Sequence, residues 1–436
     1  MSIPTLQGLQ TALTGLIAEQ QALDVTGDNI ANVNTEGYSR ETAVFQTNPT
    51  IDIPAISSLT GEGAQLGTGV NVETISRIRD SYLDSQFRTQ NSALSKAGTQ
   101  AEVLQRAQSA FNEPSSSGLA SDLSTFWNAW ASLSDTPTEE AKQGVVAAAT
   151  QVADSFNELS AQLTTIANQA GEQYEALAGP NGEVQDDANQ LAQLNGQIRI
   201  AEEAGQQPNS ELDRRDLLID KLSSLAQVTV TEAPDHMDTV TFGDAAKPLV
   251  EGTTVNWPQT LTEAAGGRLG ALLGLTSAGG GLTTIQNSLN NVAALLASTV
   301  NELHTATTFF SGTTAATLKV AVKANEVQTS STGAPGGNDV ALEIAGLRGG
   351  AAEQAYASLI EQVGSSVKSA QDDQANLQTT VTAINENRQS VSGVSLDEEM
   401  TNLISFQRGY QASARTLTAM DEMLETLIEH TGVVGL

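Results

Sequence analysis

The sequence predicts a mainly α-helical protein: long paired terminal helices resembling a coiled coil, an α-helical bundle domain with short β-hairpins, and a small β-containing insert. Two observations indicate the helices. Apolar residues recur at alternating spacings of three and four over long stretches, and aromatic residues make up only 4% of the chain. A third observation indicates the insert, because residues 239–242 alternate in polarity within a stretch that holds several prolines and glycines.

The first helix is predicted to begin near residues 2–5, where Pro4 is tolerated in the first turn, and to end at an Asn-rich string from Asn29. Its leucines form a heptad seam with a polar interruption at Gln20. A similar seam near the C-terminus is interrupted at Gln407. Two such seams at opposite ends of a chain are able to pair, so we expect the two ends of this chain to lie together.

The middle of the chain is predicted to hold a hairpin-like stretch, a β-rich stretch and seven helices. The hairpin-like stretch covers residues 61–72, where glycines recur, and the β-rich stretch covers residues 228–257. The helices are expected over residues 79–111, 119–133, 138–177, 184–204, 210–225, 282–304 and 353–391. Ser210 is the expected N-cap of the fifth of these helices.

Two aromatic or titratable features of the helices allow more than one interpretation. Trp127 and Trp130, three residues apart on one helical face, could stack a ligand, but such a pair more often anchors a helical core. His304 falls at the C-terminal end of its helix, where it is expected to act as a cation or as a cap.

A charged string within residues 212–218 also has two interpretations. Asp213 and Asp216 stand beside Arg214 and Arg215, and such a group could be catalytic. No histidine or metal-ligand cluster accompanies them in the sequence, which favours a role in helix capping and ion pairing.

Residues 395–431 are predicted to form one long final helix. Ser395 followed by Glu398 is a capping-box pattern, and Asp397, Glu398 and Glu399 place negative charge at the positive end of the helix dipole. The large apolar residues of this helix cover an arc much wider than the ~100° stripe of an ordinary surface helix. We therefore expect one flank to meet a helix of this chain and another to meet other subunits. The alternative is a helix buried entirely in its own domain.

The apolar positions of the two terminal helices are the predicted assembly interface. They are Leu6, Leu9, Leu13, Leu16, Leu23, Ile30, Leu396, Met400, Leu403, Phe406, Tyr410, Leu417, Leu424, Leu427 and Ile428. The predicted domain organisation follows from the same pairing. It has a terminal coiled-coil domain (1–60 with 395–436), a helical middle domain (61–226 with 282–394) and a small β-rich insert (227–281).

Composition restricts the function. The chain has 51 acidic and 20 basic residues and a net charge of −31, which argues against binding to nucleic acid or to an anionic membrane surface. It has no cysteine and only three histidines, so cysteine and zinc-thiolate chemistry are excluded and no cofactor or metal is expected. No stretch approaches the ~20 apolar residues of a transmembrane helix, and the first ten residues do not form a secretory signal peptide.

The string NIANVNTEGYSR, residues 29–40, resembles the N-terminal signature of the flagellar rod, hook and hook-associated proteins. The residues that match that signature are Asn29, Asn32, Thr35, Gly37, Tyr38 and Arg40. The string FQRGYQASARTLTAMDEM within the last helix resembles the other end of the same family. Residues 190–230, with Leu194-Asn195 and a Leu-Asp-x-Arg-Asp-x-Leu-like string from Leu212, resemble the hook-associated protein 1 branch.

This resemblance implies a structural subunit of the bacterial flagellum, not an enzyme, located outside the cell at the hook–filament junction and secreted through the flagellar type III channel. The implied partners are other copies of the chain in a helical array, the hook protein, hook-associated protein 3 and a flagellar export chaperone. The alternatives are a protein of the hook-associated protein 3 or flagellin type, a rod or hook protein, and, more remotely, an acidic hydrolase. We further expect roughly the first 35 and last 40 residues to be disordered in a dilute monomer and to order on assembly.

Overall fold

The computed structural model describes residues 3–53, 64–233, 237–334 and 336–430, and the fold is mainly helical as predicted. The helices are α1 (Ile3–Ala31), α2 (Ser81–Phe111), α3 (Leu119–Asp135), α4 (Glu139–Ala178), α5 (Glu183–Glu203), α6 (Asn209–Leu225), α7 (Gly267–Thr276), α8 (Gly281–Leu303), α9 (Asp339–Ala345), α10 (Ala351–Ser392) and α11 (Leu396–His430). The predicted long helices are confirmed. Wherever the structure describes a helix end, it lies within two residues of the predicted position. The seven-residue helix α9 was not predicted, because it is too short to show a period.

Capping explains several helix ends. The Asp80 carboxylate accepts hydrogen bonds from the backbone N–H groups of Tyr82 and Leu83 and so begins α2, while Asn112, with φ 50°, ends it. The predicted N-cap of α6 is wrong. This helix begins at Asn209, directly after Pro208, and Ser210 is exposed within its first turn.

The strands are β1 (Glu41–Thr47), β2 (Ile51–Ile53), β3 (Ala64–Leu66), β4 (Val70–Arg77), β5 (Val228–Thr231), β6 (Thr239–Phe242), β7 (Val250–Glu251), β8 (Thr254–Val255), β9 (Phe310–Ser311) and β10 (Lys319–Val320). Strands β1 and β4 pair antiparallel, with an irregularity between Val44 and Phe45, and β2 pairs with β3 beyond them. Residues 54–63, which the predicted hairpin-like stretch partly includes, lie outside the described residues. The predicted β-rich stretch is confirmed as the antiparallel four-stranded sheet β5-β6-β7-β8.

A long antiparallel pair, α2 with α10, forms the centre of the helical body. Phe111 meets Tyr356 at one end of the pair, with ring centroids 6.4 Å apart, and the Arg388 guanidinium lies 4.3 Å from the centre of the Phe87 ring at the other. Helices α3 to α9 and the four-stranded sheet pack around this pair on one connected hydrophobic core. Sheet residues such as Val240 and Phe242 belong to that core, so the insert is attached to the helices by buried apolar contacts.

The tryptophan pair belongs to the core, as the core interpretation predicts. Trp127 and Trp130 are buried beside Phe126 and two phenylalanines of the segment after α8. The Phe126 and Trp127 centroids are 4.8 Å apart, and those of Trp130 and Phe309 are 5.4 Å apart. At these distances the rings contact one another, and no space is left between them for a ligand to stack.

His304 ends α8 as a cap, but not as a cation. Its Nδ1 lies 2.6 Å from the Thr307 carbonyl oxygen, which can only accept, and its Nε2 lies 2.8 Å from the Gln328 backbone N–H, which can only donate. One ring nitrogen is therefore a donor and the other an acceptor, which is the neutral form of the imidazole. The cationic interpretation is wrong, because the second nitrogen is used to hold the following loop.

Asn195, from the Leu-Asn pair noted in the sequence, attaches the four-stranded sheet to α5. It is fully buried, and its Nδ2 donates to the Asp238 carbonyl at 3.1 Å and the Gly252 carbonyl at 2.8 Å. We expect Asn195→Ala to lower the free energy of unfolding by about 1–3 kcal/mol, because two buried carbonyls lose their donor. Urea unfolding would measure this, with Asn189→Ala on the exposed side of the same helix as a control expected to change it by no more than about 0.5 kcal/mol. Equal effects of the two substitutions would contradict the assignment.

Candidate assembly face and its anchor

The two ends of the chain pair as antiparallel helices, which confirms that part of the prediction. A Cβ built on Gly8 would lie 2.5 Å from Met420 Cε, and one built on Gly15 would lie 3.1 Å from Ser413 Oγ. The contact therefore moves seven residues forward along α1 while it moves seven residues back along α11, which shows that the two helices run antiparallel. Gly409 faces Glu19 in the same register. Glycine at these positions lets the two helix backbones approach closely.

The residues that make this contact differ from the predicted seams. The residues of α1 that α11 approaches are Gly8, Gly15 and Glu19, none of which belongs to the leucine seam. The leucine seam is rotated away from this contact, and Leu9, Leu16, Leu23 and Ile30 are only half-buried. The predicted seam-to-seam pairing is therefore wrong, although the ends do pair. A pattern of large apolar residues overlooks glycines in such a contact.

The rest of the predicted interface is also only partly covered. Half-buried positions on α11 are Leu403, Phe406, Tyr410, Leu417 and Leu424, and the exposed ones are Leu396, Met400 and Ile428. The side chains of Leu6 and Leu427 lie outside the described residues. Phe406 also meets Phe45 of β1, with ring centroids 6.0 Å apart, so the β-hairpin covers part of the pair.

The exposed large apolar side chains of the pair include Leu396, Met423 and Ile428, and also Leu13 (42%), Ile17 (46%), Met400 (51%) and Ile404 (45%). At ~100° per residue, Leu13, Ile17, Met400 and Ile404 each lie roughly 130–200° from the contact line of their own helix. They therefore point away from the partner helix, Leu13 and Ile17 on the outer surface of α1 and Met400 and Ile404 on the outer surface of α11. We call these outer surfaces, with these four residues and the half-buried Leu9, Leu16 and Leu403, the apolar face.

The family motif forms the turn from α1 to β1 and anchors it to α11. Asn29 Oδ1 accepts hydrogen bonds from the Glu41 backbone N–H at 2.9 Å and from the Tyr38 hydroxyl at 2.9 Å, while its Nδ2 donates to the Glu41 carbonyl at 2.8 Å. Burial, together with the nearby Glu41 and Asp28 carboxylates, raises the pKa of Tyr38, so its hydroxyl remains a donor. Asn29 Nδ2 also lies 3.2 Å from Glu399 Oε2 on α11.

Other motif residues support the same turn. Asn32 Nδ2 donates to Asp28 Oδ1 at 3.0 Å, and the Thr35 hydroxyl donates to Asn32 Oδ1 at 3.1 Å. Gly37 has φ +80°, a conformation that side chains rarely adopt, and it lies against Leu217 of α6. The motif therefore specifies one backbone path and packs it on the helical body.

Arg40 joins this turn to the start of α11. Its Nε donates to Glu399 Oε1 at 2.8 Å and its Nη1 donates to Glu398 Oε2 at 2.6 Å. The predicted capping box is corrected by this contact: the Glu398 carboxylate is directed to Arg40 of another segment, while Ser395 contributes its backbone carbonyl to the Glu399 N–H.

A charge cluster lies directly beneath the motif turn. It consists of Arg77, Arg79, Arg88 and Arg388 with Asp84, Asp213, Asp216 and Asp220, and it joins β4, α2, α6 and α10. The Ser39 backbone N–H and hydroxyl donate to Asp213 at 3.0 and 2.7 Å, which connects the turn to the cluster. The ion-pair interpretation of Asp213 and Asp216 is confirmed, although their partners are distant in sequence and not the adjacent arginines.

In this cluster, burial and ion pairing have opposite effects on the pKa of a carboxyl group. Burial alone raises the pKa of Asp216, but Arg79, Arg77 and Arg88 outweigh it and hold that pKa below its ordinary 3.8. Each of the eight side chains has an oppositely charged partner within ion-pair distance, which is typical of a structural cluster. A catalytic site would instead show a pair of carboxylates whose pKa values are shifted apart. Within the described ranges no group of three or more His, Asp or Glu side chains could hold a metal ion. None of the described helices is long and apolar enough to cross a membrane.

Comparison with known proteins identifies the family. Residues 104–264 match the flagellar hook-associated protein FlgK helical domain, residues 9–38 match flagella basal body rod protein, and residues 379–429 match the C-terminal region of flagellar basal body rod FlgEFG proteins. Flagellar hook-associated protein 1 of Salmonella typhimurium is 28% identical over 56% of this chain and 42% of its own length. The flagellar hook junction protein FlgK from Burkholderia pseudomallei, a solved structure, is 22% identical over 51% of this chain and 44% of that one, with a TM-score of 0.45.

One relative matches from end to end. Flagellar hook-associated protein 1 of Bacillus subtilis is 32% identical, and the alignment covers 99% of this chain and 99% of that protein. The chain therefore belongs to the flagellar hook-associated protein 1 family and is a structural protein of the extracellular flagellum at the hook–filament junction, not an enzyme.

Proposed function

We propose that this chain joins hook to filament by packing its terminal helix pair, through the apolar face, against other copies of itself in a helical array. Its end partners in that array are the hook protein on one side and hook-associated protein 3 on the other, and an export chaperone delivers it. The predicted domain division, with the terminal pair as a separate unit, is part of this proposal.

The observation that carries the proposal is the exposure of Leu13, Ile17, Met400 and Ile404 on the sides of α1 and α11 that point away from each other. Fully burying a large apolar side chain contributes ~1.5–3 kcal/mol, so covering four that are about half exposed contributes roughly 1 kcal/mol each. In an array this gain recurs in every copy. Contacts between different surfaces of neighbouring copies that do not close on themselves build such arrays.

The net charge of −31 suits the same role. Like charge keeps free subunits apart in solution despite their exposed apolar residues. The acidic side chains are largely solvated, whereas the apolar face has none among its seven residues.

A binding experiment tests the order of assembly. Bare hooks from a strain lacking this gene are mixed with the purified subunit, with purified hook-associated protein 3, or with both. We expect the subunit to bind hooks alone and hook-associated protein 3 to bind only when the subunit is present. Binding of hook-associated protein 3 to bare hooks, or failure of the subunit to bind them, would overturn the proposal.

Hydrogen exchange tests whether assembly orders the terminal helices. We expect amides of α1 and α11 to exchange rapidly in dilute subunit and to become protected on hooks, because the two helices expose apolar surface when alone. The α2 and α10 amides of the same sample serve as an internal control and should be protected in both states. Strong protection of α1 and α11 in the free subunit would contradict the expectation.

A further inference from the structure

Helices α10 and α11, which are 42 and 35 residues long, are separated by only three residues. Helix α10 ends at Ser392 and α11 begins at Leu396, and Gly393 between them is extended, with φ −76° and ψ 156°. Nothing in residues 393–395 forbids a helix, because there is no proline and one glycine costs only about 1 kcal/mol in a helix interior. The break, and the angle it creates, must therefore be maintained by contacts from elsewhere.

Arg40 makes contacts on both sides of this break. Its backbone N–H donates to the carbonyl of Ser392, the last residue of α10, at 2.8 Å. Its guanidinium binds Glu398 and Glu399 in the first turn of α11, at 2.6 and 2.8 Å. Its own carbonyl accepts the Ile78 N–H at 2.8 Å, which ties it to the end of β4. A planar guanidinium engages two carboxylates at once, and this limits the directions in which α11 can leave.

The two carboxylates are not equivalent. The Glu399 side chain is 2% exposed, and its second oxygen accepts a hydrogen bond from Asn29 of α1, whereas the Glu398 side chain is 62% exposed. Glu399 therefore joins α1, α11 and the motif turn at one buried point. Glu398 adds an exposed ion pair, a kind that contributes little by itself.

We propose that Arg40, acting mainly through Glu399, sets the angle between α10 and α11 and thereby the direction in which the terminal helix pair leaves the helical body. Arg40 is a positioning residue, since it lies at the turn and not on the apolar face. The inference rests on the proposed function, because only an array of copies requires one angle to be selected.

The test exploits the absence of cysteine from the chain, which permits two unique spin labels. Asp373→Cys on α10 and Ala412→Cys on α11 place both labels at exposed positions away from the apolar face. Labelled subunit is mixed with excess unlabelled wild-type subunit and bound to bare hooks, which removes distances between labels on different copies. Double electron–electron resonance then reports the distance distribution across the break, and the bound fraction reports incorporation.

We expect Arg40→Gln to broaden the distance distribution at least twofold and to lower incorporation at least tenfold, with the unfolding midpoint of the helical body unchanged. Arg40→Lys should recover part of both, because the ammonium keeps the charge but loses the two-carboxylate geometry. Glu399→Gln should resemble Arg40→Gln, and the matched control Glu398→Gln should resemble the wild type. A role limited to folding would move the unfolding midpoint and would leave the distance distribution of the folded subunit unchanged.

The outcomes distinguish this inference from the proposed function. If wild-type subunit fails to bind hooks, the proposed function is wrong. If wild-type subunit binds and Arg40→Gln binds equally well with the wild-type distance distribution, the positioning role is wrong while the proposed function stands. Equal losses for Glu398→Gln and Glu399→Gln would also overturn the assignment to the buried contact.

Discussion

Ile404→Asp is expected to leave the subunit folded and to reduce its binding to bare hooks by at least about a hundredfold. Ile404 is an exposed member of the apolar face, so the free subunit tolerates a carboxylate there. In the array the same carboxylate would be enclosed by apolar side chains, and burying an unpaired charge costs several kcal/mol. Each 1.4 kcal/mol is a factor of ten in affinity, which gives the expected loss.

The control for this substitution introduces the same charge elsewhere on the same helix. Ala412 is exposed on α11 but lies on a different side from Ile404, so Ala412→Asp should change hook binding by only a few-fold. Leu13→Asp on α1 should behave like Ile404→Asp, because both residues belong to the apolar face. If either face substitution bound hooks like the wild type, that residue would not be at a subunit contact, and if both did, the face would have been wrongly identified.

Asp216→Ala is expected to lower the free energy of unfolding by about 3–5 kcal/mol, the usual cost of leaving a buried charge without its partner. Asp216 lies 3.0 Å from Arg77, 3.3 Å from Arg79 and 3.4 Å from Arg88, so its loss leaves three arginines undercompensated. Asp372→Ala, which removes an exposed partner of Lys368, should cost no more than about 0.5 kcal/mol. Urea unfolding of both variants measures the difference, and similar values would show that the cluster is not an effective stabiliser.

Asp216 is also expected to make the stability of the protein depend on pH. Because the pKa of Asp216 in the folded state lies below its ordinary 3.8, the folded protein binds fewer protons than the unfolded chain in that range. Its stabilisation is fully present above pH 3.8 and is lost as the pH falls through the folded-state pKa. The difference in stability between wild type and Asp216→Asn should therefore shrink below pH 3.8, and a constant difference there would contradict the assignment.

Local patterns in the sequence were enough for much of the fold. Helix boundaries followed from apolar periodicity and, for α4, from Thr138, which caps the helix within one turn of the chain. The burial of Trp127 and Trp130 and the pairing of the chain ends followed from the same kind of reasoning. The β-rich stretch followed from alternation around residues 239–242.

The candidate site was predicted only in part, for a specific physical reason. The sequence indicated that large apolar residues of both ends face partners, but not which side of each helix meets the other. Gly8, Gly15 and Gly409 lie in that contact, and glycine carries little signal in a hydrophobic pattern. The role of Glu398 was misjudged in the same way, because a capping box is a local pattern and Arg40 competes for the carboxylate from 358 positions away.

The sequence by itself determined the helical class, the family motif and the paired ends, since periodicity, capping and turn chemistry depend on residues a few positions apart. The tertiary structure alone decided which residues line the contact between α1 and α11, which arginines neutralise Asp213 and Asp216, and that Arg40 spans the break between α10 and α11. These depend on the distance and orientation of side chains that are remote in sequence, and no spacing along the chain encodes them.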